Sequence, residues 1–312
     1  MAFLVGSLER IFRLVLFHNG PEIFKRLLCP VCNSLTNPKG EISSLGSLFN
    51  EVTNLGKTPL PLNVPDGLRG FGLFGGRVVL EAFWTHNKSV KFAVPGNNRQ
   101  IRAETSDVVF LVSHEYLKPN AVTLVDEKIS FFQAKLEKKN AVFKIKPRQW
   151  HLMRYWPDFS YKGKQFALEV CRKVPDICSF YLLLFKKNVY NYRFVAENSA
   201  HWNFETNSVC LSTPFMEEKI PKLKNLNRND IVTNNDISLR LAQKDSDGFF
   251  DIMWDLLLTH LVAHDLPASM LMTTMFQDEP KRSNPGPSKD PNTRPTIGIR
   301  VRVQLKVESS SK

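Results

Sequence analysis

The chain is short of cysteine, with 5 in 312 residues, an odd number scattered along the sequence. That pattern does not make a secreted disulfide framework, and it predicts a reducing, cytoplasmic setting. Long uninterrupted apolar runs are missing too. The amino terminus is apolar from Ala2 to Val5 and from Ile11 to Phe17, but Glu9, Arg10 and Arg13 break it before a signal-peptide core or membrane span could form. The expectation is a short amphipathic helix packed on the body, with no role for a membrane. Acidic residues are in deficit: 30 Asp and Glu against 42 Lys and Arg leave a formal net charge of +12, with no acidic tail to offset it. Such an excess suits a polyanionic partner, chiefly nucleic acid, and it suits plain solubility equally well.

Several motifs lack a necessary part. Cys29 and Cys32 form one CxxC with no second pair at zinc-finger spacing; a distant Cys or His could complete a zinc site, but the plainer reading is two unrelated thiols. His260 and His264 are one helical turn apart, but Leu261 stands where a metalloprotease helix carries its glutamate. Gly70, Gly72 and Gly75 have the spacing of a dinucleotide fingerprint, yet a Pro-rich stretch precedes them instead of a strand. Residues Pro59 to Gly76 therefore read as a loop. No internal repeat is visible.

What is present is a mixed α/β pattern. Leu45, Leu48, Phe49, Val52 and Leu55 recur at helical spacing behind Ser43 and Ser44, which can cap the helix start. Glu51 sits on the flank of that apolar face. Val108 to Val112 and Ile129 to Ala134 read as buried strands around a turn at Pro119 and Asn120, with a third strand near Ala141 to Ile145. Pro147 can open a helix through Gln149 to Tyr155, which Trp156-Pro157 stops, and Phe180 to Phe185 reads as a central strand. Farther on come a helix over Phe249 to Val262 and a mobile loop over 278–295, rich in Pro, Ser and Asn. A terminal strand over 296–307 alternates strictly, with Arg300, Arg302 and Lys306 on its wet face.

The chemistry concentrates between Glu104 and Lys135. An acidic cluster, Glu104-Thr105-Ser106-Asp107, opens one strand, and Gln133-Ala134-Lys135 closes the next. The period of two puts Gln133 and Lys135 on one side and Phe132 and Ala134 on the other. A hard divalent cation takes oxygen ligands, which Asp107, the Gln133 amide and a nearby carbonyl can supply, and Lys135 can assist an attacking water. The plainer reading is an amphipathic strand whose Gln and Lys face solvent. Glu104, three residues from Asp107, points to the opposite face of a continuous strand and joins the site only if the strand begins after a bend. It ranks below Glu51. Gln149, Trp150, His151, Arg154 and Tyr155 can grip or stack on a nucleic-acid strand, or they can be packing.

These residues resemble the PD-(D/E)xK nuclease superfamily, in the branch where Gln replaces the last motif's Glu, as in Mrr-like restriction enzymes and bacterial anti-phage effectors. The resemblance covers roughly 104–159, including the Gln149-Trp150-His151-Leu152 and Trp156-Pro157-Asp158-Phe159 segments. It implies a restriction-endonuclease-like core over 41–195, between a helical extension at 1–40 and an α+β region at 196–312. The implied catalytic set is Asp107, Gln133, Lys135 and Glu51, with Glu104 as reserve; Asp107, Gln133 and Glu51 would hold Mg2+ or Mn2+. DNA is the implied substrate; the candidate contacts to it, read from the residues themselves, are Gln149, Trp150, Arg154, Arg300 and Arg302. A homo-oligomer or a partner protein in host defence is implied as well. There is no Pro before Asp107, and Gln133 removes one negative charge from the metal site. A non-catalytic nucleic-acid-binding or assembly protein on the same fold is the alternative.

Overall fold

The computed structural model describes residues 2–36, 39–86, 89–94, 97–137, 142–173, 178–185, 189–193, 200–203, 208–211, 216–219, 237–241, 257, 270–271, 274–275 and 295–307. The architecture is mixed α/β: a central sheet of parallel and antiparallel strands flanked by helices. The chain opens with α1 (Ala2–His18), α2 (Gly20–Ile23), a π-helical stretch Phe24–Leu28 and α3 (Cys29–Ser34). Then comes α4 (Glu41–Gly56). Its start lies before the serines expected to cap it, because the Ser44 hydroxyl donates back to the Gly40 carbonyl at 2.9 Å instead of accepting an N–H. Glu41 thus occupies the first turn, where the helix dipole favours a carboxylate.

The stretch expected to be loop holds β1 (Leu60–Leu62) and α5 (Asp66–Arg69), and β2 (Leu73–His86) begins within it, so that Gly75 is a strand residue. There follow β3 (Val90–Val94), β4 (Asn97–Ala103), β5 (Val108–Lys118), β6 (Ala121–Leu136) and β7 (Val142–Ile145). Pro119 and Asn120 form the two-residue turn between β5 and β6, with Lys118 opposite Ala121. Next are α6 (Pro147–Tyr155), β8 (Phe159–Tyr161), β9 (Lys164–Phe166), α7 (Glu169–Lys173), β10 (Ser179–Leu184) and β11 (Val189–Arg193). The last described strands are β12 (Ala200–Asn203), β13 (Ser208–Leu211), β14 (Met216–Lys219), β15 (Ile237–Leu241) and β16 (Pro295–Val307).

The main sheet has the order β1-β2-β16-β5-β6-β10-β11. Here one expectation needs correcting. The terminal strand β16 lies between β2 and β5, antiparallel to the first and parallel to the second, so a division at residue 195 would cut through the sheet. Its alternation has the expected cause: Ile297, Ile299, Val301, Val303 and Leu305 all enter one core. Its other face is less wet than expected, since Thr296 and Gln304 are buried and Arg300 and Arg302 are half-buried. The strand near 141–145 also goes elsewhere, pairing with β15 in a separate antiparallel sheet. Of the helix expected over 249–262 only Leu257 is described, while His260, His264 and the stretch 278–294 lie outside the described residues.

The period-two pattern sorts side chains into two cores. Val108, Phe110, Val112, Phe132, Ala134, Phe180 and Leu182 face α1 and α4 on one side of the sheet. There Phe12 of α1 packs against His114 and Tyr116, with ring centroids 4.9 and 5.0 Å apart. Val109, Leu111, Ile129, Phe131, Tyr181 and Leu183 face α6, α7 and the small sheet β4-β3-β8-β9 on the other. Trp156 ends α6 at φ 40°, fully buried, its indole N–H donating to Ser179 Oγ at 2.7 Å and its ring 4.7 Å from that of Phe131. No described helix is long and apolar enough to cross a membrane.

Candidate functional site

The sequence between β4 and β5 does not continue as one strand. Residues 104–106 are irregular and Asp107 lies in a bend, because the chain leaves the small sheet at Ala103 and enters the main sheet at Val108. Asp107 is locked there from both sides. Its N–H donates to the Phe132 carbonyl at 2.8 Å, its own carbonyl accepts from Ile297 at 2.9 Å, and Oδ2 accepts the Ala134 N–H at 2.8 Å. Gln133 and Lys135 share a side, as the strand period predicts, and the Lys135 ammonium donates to Gln133 Oε1 at 3.4 Å. Neither faces solvent: Gln133 is fully buried and Lys135 is 4% exposed.

The bend decides the status of Glu104. Its carbonyl accepts from Gln133 Nε2 at 3.3 Å, and its Oε2 accepts from Gln149 Nε2 at 3.0 Å. Glu104 therefore belongs to the cluster, ahead of Glu51. Glu51 lies ten residues along α4 from Glu41, a rise of about 15 Å. The helix acid that reaches this end of the sheet is instead Glu41, whose Oε1 accepts the Leu136 N–H at 3.1 Å. Reading the helix start at Ser43 hid Glu41; a first-turn acid immediately after a glycine was the available signal.

Burial pushes the Asp107 carboxyl up from its ordinary 3.8 to about 6; Glu104 and Glu41 push it the same way, against Lys135 and the Ala134 N–H. Three carboxylates thus lie within electrostatic reach of one another. Among the described residues no group of three or more His, Cys, Asp or Glu side chains is placed to hold a metal ion by itself. The side chains that meet here offer oxygen atoms, the donor type a hard divalent cation takes. The buried Gln149 Oε1, with no donor among the described residues, adds a further oxygen beside Glu104.

The other expected contacts are placed less favourably. Trp150 is 7% exposed and stacks on Tyr181 at 6.1 Å, so it is packing and not a platform for bases. Arg154 lies over the Tyr155 ring at 5.8 Å. Arg300 and Arg302 both pair with Glu81 of β2, which occupies the charge a phosphate would otherwise meet. The chain matches no family model, no curated protein and no solved structure.

Proposed function

We infer that the chain is a divalent-metal-dependent nuclease that hydrolyses phosphodiester bonds of DNA. The observation that carries this reading is the meeting of Asp107, Glu104 and Glu41 with Gln133 and Lys135 at one end of the main sheet. Asp107 and Glu104, with Glu41 and the Gln133 amide oxygen, would hold Mg2+ or Mn2+. Bound there, the cation would polarise the phosphate and make a water more acidic. Lys135, buried and held by Gln133, supplies a fixed positive charge for the oxygens that become more negative during in-line attack. The Ala134 N–H fixes the Asp107 carboxylate, so it needs no reorganisation when substrate arrives.

The test is a plasmid-nicking assay with Mg2+ or Mn2+ on the parent, Asp107→Ala and Lys135→Ala. Cleavage by the parent and a loss of about 100-fold or more in each variant support the reading. Cleavage that both variants retain refutes the site. Binding of DNA without cleavage in either metal favours a non-catalytic nucleic-acid-binding protein, to which the uncharged Gln133 is suited.

A further inference from the structure

We propose that the outer face of the four-stranded sheet β4-β3-β8-β9 is the surface on which the phosphate backbone of a nucleic acid lies on its way to the site. The proposal rests on the nuclease reading for its direction, but its own observations are separate. The inner face of this sheet is apolar: Val90, Phe92, Ala103, Phe159, Tyr161 and Phe166 all enter the second core. The strand period turns the alternate residues outward, and there Lys91 of β3 stands directly opposite Arg102 of β4 on one side and Ser160 of β8 on the other. Gln165 of β9 continues the row beyond Ser160. Lys91, Arg102 and Gln165 are all exposed.

Like-charged residues directly opposite each other on antiparallel strands, the strands about 5 Å apart, destabilise a sheet. No described carboxylate pairs with Lys91 or Arg102, and none of the four strands contains an Asp or Glu. A polyanion lying across the row relieves that repulsion.

The turn between β8 and β9 adds a second mark. Lys162 and Gly163 form a two-residue hairpin loop with φ 49° and 79°, and a lysine in the left-handed region is strained where Asn or Gly is the usual choice. That turn holds another exposed cation at the end of the sheet, its ammonium 5.8 Å from the centre of the Tyr161 ring. Continuity with the site is covalent: Arg102 is two residues before Glu104, with only Ala103 between them. A backbone gripped at Arg102 is thereby delivered to the acidic cluster, whereas a face isolated from the site would serve binding alone.

The experiment measures binding of a labelled DNA duplex of about 20 base pairs by fluorescence anisotropy in excess chelator, so that no cleavage is needed. The full-length parent is compared with Lys91→Glu/Arg102→Glu and with Lys25→Glu/Arg26→Glu, an equal charge change at exposed positions on the helices of the opposite side. The expected result is a loss of about tenfold or more in the first variant only, with the slope of log affinity against log salt reduced by about 2. Thermal melting confirms that both variants fold, and Lys91→Gln/Arg102→Gln repeats the test without introduced acid. Equal losses in both charge-reversal variants overturn the proposal, since net charge alone then explains binding. Competition by poly-glutamate as effective as by DNA also overturns it, in favour of an acidic protein partner. A parent that cleaves but shows equal losses keeps the nuclease reading and loses this surface. A selective loss in a parent that cleaves in neither metal does the reverse.

Discussion

Asp107→Asn separates the chemistry proposed for this carboxylate from its contribution to folding. The side chain is 3% exposed, and burial, reinforced by Glu104 and Glu41, lifts its pKa from 3.8 to about 6. A raised pKa means that the folded protein holds the proton more tightly than the unfolded chain does. The corresponding stability is fully present below pH 3.8 and is lost as pH rises through about 6. The size of the loss is roughly 3 kcal/mol above pH 7. An asparagine has nearly the same shape, keeps an oxygen to accept the Ala134 N–H, and carries no charge to desolvate. Urea unfolding in chelator, followed by circular dichroism from pH 4 to 8, is the assay. Asp107→Asn is expected to match the parent near pH 4 and to exceed it by about 2–3 kcal/mol at pH 8, while losing cleavage. A stability difference that does not change with pH would refute the assignment of a buried carboxylate with a raised pKa. Mg2+ should raise the parent's midpoint at pH 8 and leave the variant's unchanged, because a cation bound only by the folded parent stabilises it by mass action.

The remaining expectations concern the same frame. Glu41→Gln should lower cleavage by about tenfold or more while Glu51→Gln leaves it within about twofold, in nicking assays at saturating Mg2+; the opposite order would restore Glu51 to the site. In α4, Gly46→Ala should stabilise by up to about 1 kcal/mol, since a Cβ there meets nothing within 4 Å. Gly56→Ala in the same helix should destabilise by about 1–3 kcal/mol, because its Cβ would fall 2.4 Å from the Leu80 carbonyl oxygen, and paired urea titrations compare the two. Trp156→Ala should cost about 3–5 kcal/mol, combining a large cavity with loss of the bond to Ser179, and a loss below about 1 kcal/mol in the same titration would refute its role as the anchor of α6.

Local patterning made much of this fold legible. The strands at Val108 and Ile129, the turn at Pro119-Asn120, the helix opened by Pro147 and stopped at Trp156, and the alternation of Ile297 to Leu305 all follow from short-range rules. A period of two or 3.6 is written in neighbouring residues and needs no knowledge of the rest of the chain. The same rule put Gln133 and Lys135 on one side of β6.

Long-range pairing was not legible. Nothing in the sequence from Pro295 to Val307 says that it inserts between β2 and β5, because any half-buried strand with that alternation reads alike, and the partner is chosen by packing on both faces. Trp150 and Gln149 looked equally suited to solvent or interior until Tyr181 and Glu104 were seen to receive them. What the sequence by itself determined is which residues share a face: Gln133 with Lys135, and Ile297 with Ile299, Val301, Val303 and Leu305. Only the tertiary structure decided which faces meet. The bend at Asp107 brings Glu104 in, the early start of α4 brings Glu41 in and leaves Glu51 behind, and burial of the resulting cluster sets the charge state of Asp107. The reason is physical: periodicity is a property of the chain's own geometry, whereas desolvation and charge coupling depend on atoms far apart in sequence.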